Sequence, residues 1–108
     1  MPAVTEARDR RMTRTEAQLR RINDDLRRAV DQLVAVPELV AFVCECSRTE
    51  CHATIELTVE RYDEVRSCDR CFVIVSGHET PTIEAVAESR DGYLVVEKFR
   101  ELIGSPAA

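Results

Sequence analysis

Five cysteines, Cys44, Cys46, Cys51, Cys68 and Cys71, fall within 28 positions of a 108-residue chain. One or two scattered cysteines need no special account, because Cys packs as a small hydrophobe. Five in one short segment do. Disulfides are rare in a reducing cytosol, and an odd number leaves one thiol over. Metal binding or thiol chemistry is therefore the expectation. The length suggests one domain. The N-terminus is charged from Glu6 onward, unlike a signal peptide, and no stretch approaches the ~20 apolar residues of a membrane span. A soluble, cytoplasmic protein is expected, with no membrane partner.

The segments on either side of the cysteines differ in pattern. Residues 1–12 are polar and weakly periodic, so disorder is expected there. Thr13 and Glu16 have the spacing of a capping box. After them Leu19, Ile22, Leu26, Ala29 or Val30, and Leu33 recur every three or four residues, predicting an amphipathic helix over 13–36. Pro37 should end it, since the residue before a proline is pushed out of the helical region.

Beyond Pro37 the signals are short. Leu39 to Val43 is an apolar run that reads as a strand. Thr54 to Leu57 alternates polar and apolar residues, as a strand with one buried face does. Thr58 can cap a short helix bearing Val59, Tyr62 and Val65. Cys71 to Val75 reads as a buried strand, with Gly77 allowing a turn after it. Asp91-Gly92 marks a turn before a strand at Tyr93 to Val96, and Ile83 to Glu88 is taken as its partner strand rather than a short helix. The expected fold class is α+β: a long N-terminal amphipathic helix, then a small zinc-stabilised body over 37–103 with a short antiparallel sheet and one short helix. A disordered tail is expected over 104–108. A body of roughly 60 residues buries little core, and a metal is one standard remedy.

The cysteine spacing is Cys44-x-Cys46-x4-Cys51, then Cys68-x2-Cys71, with His52 and His78 the only histidines. Structural zinc takes four tetrahedral ligands, most often thiolate and imidazole. A tight knuckle is expected where Cys44 and Cys46 share an ion, with the polar Ser47-Arg48-Thr49-Glu50 turn bringing in Cys51. Four residues compete for the remaining position. His52 adjoins Cys51 and has poor geometry for the same ion. Cys68 and Cys71 have attractive ligand spacing, but taking both leaves a spare thiolate. His78, after Gly77 at a strand end, is held yet reachable, although a surface turn histidine would sit there equally well.

The order and spacing of these motifs resemble a family of small actinobacterial proteins without an established activity. The family pattern is Phe-x-Cys-Glu-Cys-x4-Cys, a Leu-Thr-x-x-x-Tyr-x-x-Val-Arg helix, Phe-x-Val-x-x-Gly-His-Glu and a closing Gly-Tyr-x-Val-Val-Glu-Lys strand. This chain matches at Phe42, Cys44, Glu45, Cys46, Cys51, Leu57, Thr58, Tyr62, Val65 and Arg66. It matches again at Phe72, Val73, Gly77, His78 and Glu79, and at Gly92, Tyr93, Val95, Val96, Glu97 and Lys98, so that the likeness covers roughly 17–98. The resemblance implies a ligand set of Cys44, Cys46, Cys51 and His78. Cys68 and Cys71 depart from the pattern, as a redox couple, a thiol switch, two packed cysteines or alternative ligands.

Other chemistries find less support. A thioredoxin-type Cys-x2-Cys opens a helix after a strand, whereas this pair ends a helix and enters a strand. An iron–sulfur cluster also takes four cysteines, but its familiar spacings are absent. Glu79 beside His78 could serve a catalytic zinc as base, yet an ordinary solvated carboxylate explains it more simply. There is no glycine-rich phosphate loop and no serine elbow. Residues 1–35 hold eight arginines against six acidic residues, and 36–108 hold seven basic against fourteen acidic. An acidic body argues against nonspecific nucleic-acid binding. The arginine pairs of the helix are interleaved with Asp24, Asp25 and Asp31, as on a solvated face.

The expectation for function is a non-enzymatic zinc-binding interaction or regulatory protein. It would work with a protein partner or as a homodimer through its helix. The alternative is a thiol-based redox or metal sensor using Cys68 and Cys71 or the zinc thiolates.

Overall fold

The computed structural model describes residues 2–48 and 50–99, with side chains from Ala7 onward. Its elements are α1 (Pro2–Val30), β1 (Val40–Val43), β2 (Thr54–Leu57), α2 (Val59–Arg66), β3 (Cys71–Val75), β4 (Glu84–Arg90) and β5 (Tyr93–Lys98). The class is α+β, as expected from the pattern. The tail expected over 104–108 lies outside the described residues.

Two antiparallel units make the body. β1 and β2 form a hairpin in which Val40 faces Leu57 and Val43 faces Thr54. The second sheet has the order β3-β5-β4, with Cys71 opposite Glu97 and Val75 opposite Tyr93. β4 is the expected partner of β5, and its register slips between Val86 and Glu88. Gly92, at φ 88°, takes the left-handed conformation in the turn between them, where a side chain would be strained. Glu45 N–H donates to Val73 O across 2.9 Å, joining the end of the hairpin to β3.

The core lies between these sheets and α2. Phe42 and Tyr62 stack with ring centroids 4.2 Å apart, beside buried Phe72, Ile74, Leu57 and Val96. α2 starts where its sequence says it should. The Thr58 hydroxyl accepts from Arg61 N–H at 3.0 Å, and Val59, Tyr62 and Val65 form its buried face.

α1 departs from expectation in three ways. It begins at Pro2, well before Thr13, so the residues expected to be disordered up to 12 are helical from Pro2. Proline suits the first helical position, and the alanines, arginines and glutamate that follow favour helix. Thr13 and Glu16 are accordingly not a cap. The Thr13 hydroxyl donates to Asp9 O at 2.9 Å inside the helix, and the buried Glu16 pairs with Lys98. The helix also ends at Val30, ahead of residue 36, unwinding through i→i−3 bonds from Asp31, Gln32 and Leu33. Leu33, Val34 and Val36 are exposed there, so no packing sustains further turns.

The third departure concerns the face that docks. Ile22 and Leu33 of the apolar stripe are each 50% exposed, whereas Thr13, Glu16 and Asn23 are buried along with Val30. Arg20 stacks 4.2 Å over the Phe72 ring. Asp24 accepts from Tyr62 Oη at 2.6 Å and from Arg66 Nε at 2.8 Å, and Arg27 pairs with Asp63 at 2.9 Å. α1 is thus held largely by paired polar groups, with Leu26 and Val30 adding the apolar contact.

Candidate metal centre

Three backbone features converge at one end of β3. The hairpin ladder continues past β1, with Cys44 N–H donating to Ala53 O at 3.0 Å. Alternate residues of such a chain face one side. Cys44 and Cys46 therefore point together while Glu45 turns the other way, and no knuckle is needed between them. The turn comes afterwards, closed by Cys51 N–H on Arg48 O at 3.2 Å. The third feature is the turn after β3, in which His78 N–H donates to Val75 O at 3.0 Å and Gly77 takes φ 93°.

These features place one donor atom each from Cys44, Cys46, Cys51 and His78 within 4.8 Å of one another. His78 Nδ1 is 3.6 Å from Cys44 Sγ and 3.6 Å from Cys51 Sγ. Cys44 and Cys46 are buried, and Cys51 and His78 are half-buried beside an open cleft of about 460 Å³ lined by Arg48, Glu50, Cys51 and His78. Arg48 Nη2 donates to Gly77 O at 3.0 Å, tying the Cys51 turn to the His78 turn.

The thiols are not equivalent. Burial pushes the Cys44 and Cys46 thiols above the ordinary range, although Val75 N–H, 3.2 Å from Cys44 Sγ, works against it. Burial also opposes the Cys51 thiolate, but bonds from Ala53 N–H, Cys46 and Cys44, with the Arg48 charge, outweigh it and lower its pKa. A bound cation would displace the protons from the two buried thiols.

Two bracing residues went unrecognised in the sequence. Glu45, 1% exposed, accepts from Asn23 Nδ2 at 2.7 Å and from Val73 N–H at 2.9 Å. Burial raises its carboxyl to about 7, against the pull of those hydrogen bonds. The available signal was a charged residue enclosed between two ligand-type cysteines.

The remaining candidates lie elsewhere. His52 is exposed and outside the cluster. Glu79 is half-buried, and its charge acts on Glu84. Cys68 and Cys71 are bonded to each other across the turn from α2 to β3. Three residues of separation and the turn bring this pair into reach of each other, outside the cluster.

The fold and site together define an α+β protein with a Cys3His cluster able to hold a metal ion. No protein-family model, curated protein or solved structure matches the chain. No helix among the described residues is long and apolar enough to cross a membrane.

Proposed function

We propose that the chain is a zinc-binding interaction module of the cytoplasm, in which Cys44, Cys46, Cys51 and His78 close a structural site. The observation that carries this reading is the packing of four soft donors at one-ion spacing. Tetrahedral zinc, with bonds of about 2.3 Å to sulfur and about 2.0 Å to nitrogen, sets those atoms about 3.6 Å apart. The two sulfur–nitrogen distances of 3.6 Å agree with that. A cluster of several irons would spread its ligands further apart. Zinc at this site would cross-link the β1–β2 hairpin, the Cys51 turn and the end of β3.

With four protein ligands, tetrahedral zinc has no position left for substrate, which supports a non-catalytic role. The surface supports a role in binding. Leu33, Val34, Val36 and Leu39 are exposed in the segment that follows α1, and Ile22 is half-exposed on the helix itself. An exposed apolar segment of this kind suits a protein partner or a second copy, in a regulatory or accessory capacity.

Cobalt substitution tests the reading. The intense visible bands of tetrahedral thiolate-bound cobalt should appear, and should weaken in Cys44→Ser, Cys46→Ser, Cys51→Ser and His78→Ala. Full-strength bands in His78→Ala, together with loss in Cys68→Ser, would overturn the assignment.

A further inference from the structure

At the end of β3 away from the metal cluster, Cys68 and Cys71 bracket the turn from α2 into β3. Val75, whose N–H meets Cys44 Sγ, is four strand steps beyond Cys71, a distance of roughly 13 Å. The pair is therefore a second sulfur centre, outside the metal site. Its Cα atoms are 5.3 Å apart and Cys71 N–H donates to Cys68 O at 3.2 Å. That spacing is ordinary for a disulfide, so the turn accommodates the bond.

The turn is also where α1 is gripped. Arg20 Nη1 donates to Asp69 O and lies 3.4 Å from Cys71 O, with its guanidinium over Phe72. The Asp69 carbonyl belongs to the ring that the disulfide closes, and the Cys71 carbonyl is attached directly to it. On the other side, Lys98 N–H donates to Arg70 O at 2.8 Å, and Arg70 pairs with Glu97 at 2.7 Å. Cys68 is half-buried and Cys71 buried, so an incoming reagent reaches Cys68 first.

We propose that Cys68 and Cys71 form a reversible disulfide, exchanged with low-molecular-weight thiols and disulfides, that sets how firmly α1 is held on the body. In oxidation the Cys68 thiolate attacks a small disulfide RSSR, forming a Cys68–SR mixed disulfide and releasing RS⁻. Cys71 then gives up its proton and attacks Cys68 Sγ, expelling the second RS⁻. In sum, two protein thiols and RSSR become one protein disulfide and two RSH. The closed ring fixes the carbonyls of Asp69 and Cys71 for Arg20, and the open dithiol lets the turn relax away from it. Linkage makes the effect reciprocal: the contacts of Arg20 favour the disulfide by the factor with which the disulfide favours docking.

The full-length, zinc-loaded protein should be equilibrated in glutathione buffers from fully reduced to fully oxidised, trapped by alkylation and mapped by mass spectrometry. Zinc content and hydrogen exchange along α1 are read on the same samples. Cys68 and Cys71 should convert together at unchanged zinc content, with α1 amides exchanging severalfold faster in the dithiol. Arg20→Gln should shift the equilibrium severalfold toward dithiol. If that variant does not fold, the Cys68→Ser/Cys71→Ser chain should show the faster α1 exchange in every buffer. A pair that stays reduced throughout would overturn the proposal, as would identical α1 exchange in both states. Conversion accompanied by zinc loss would also overturn it, by assigning the chemistry to the metal thiolates.

Discussion

Asn23 Nδ2, on α1, donates a 2.7 Å hydrogen bond to Oε2 of Glu45, the residue between Cys44 and Cys46. Asn23 also exchanges bonds with Val43, donating to its carbonyl at 2.9 Å and accepting from its N–H at 2.8 Å. One buried amide thus fastens the helix to the chain that presents two of the three cluster sulfurs. Asn23→Ala would strip Glu45 Oε2 and the Val43 N–H of these partners, leaving the carboxyl with the Val73 N–H bond to Oε1. The expected cost is about 1–3 kcal/mol of folding stability by urea denaturation. Zinc affinity, measured by chelator competition, should fall about tenfold because an outer-shell support is lost. Unchanged values for both would show that the helix does not brace the site.

Lys98 should be a costly position to change. Its ammonium is fully buried against Glu16 of α1 and Glu84 of β4, 4.9 Å over the Phe72 ring. Lys98→Met strands two buried carboxyls, and a loss of about 3–5 kcal/mol is expected. The triple variant Glu16→Leu/Lys98→Met/Glu84→Leu removes all the charge and should recover most of that loss. A single variant of near-native stability would mean that the cluster is solvated.

The same cluster sets a pH dependence. Burial, aided by the charge of Glu79, raises the Glu84 carboxyl to about 7. A carboxyl raised above its unfolded value contributes stability that is full below about 4.5 and lost as pH rises through about 7. Burial by itself lowers the Lys98 ammonium, but the contacting carboxyls of Glu16 and Glu84 favour its charged form, so Glu84 is the group that sets the dependence. The Glu84 contribution therefore declines as pH rises from about 4.5 to about 7. Glu84→Gln, compared with the parent chain by denaturation at each pH under saturating zinc, should remove the decline on the acid side. A parallel offset at all pH values would contradict this.

The exposed apolar residues should matter for association and little for folding. Leu33 and Val34 bury nothing decisive, at 50% and 108% exposure. Leu33→Ser and Val34→Ser should each change monomer stability by less than about 0.5 kcal/mol. If these residues bind a second copy, sedimentation should show a concentration-dependent dimer that the double variant loses. A stability loss of several kcal/mol would instead place the segment in the core.

Local rules read the body well and the helix poorly. Alternation at Thr54–Leu57, the Thr58 cap and the apolar run at Cys71–Val75 act over a few residues, and the strands and α2 form there. The docking face of α1 depends on partners far along the chain: Lys98 for Glu16, Glu45 for Asn23, Asp63 for Arg27. Periodicity weighs only hydrophobicity, so it chose Ile22 over Asn23. The Thr13–Glu16 spacing matched a cap because both residues are polar, but Glu16 pairs with distant Lys98 and the Thr13 hydroxyl bonds Asp9 O inside the helix. Spacing alone also left the fourth cluster residue open. The backbone carries His78 back to Cys44 at one end of β3 and leaves Cys71 at the other.

Removal of the metal tests the central claim most directly. Purified protein should contain about one zinc per chain by elemental analysis. Because metal-binding free energy is folding free energy in so small a body, chelation should abolish the cooperative melting transition, and added zinc should restore it. A chain stripped of zinc that melts cooperatively at the same temperature as the loaded protein would contradict the account.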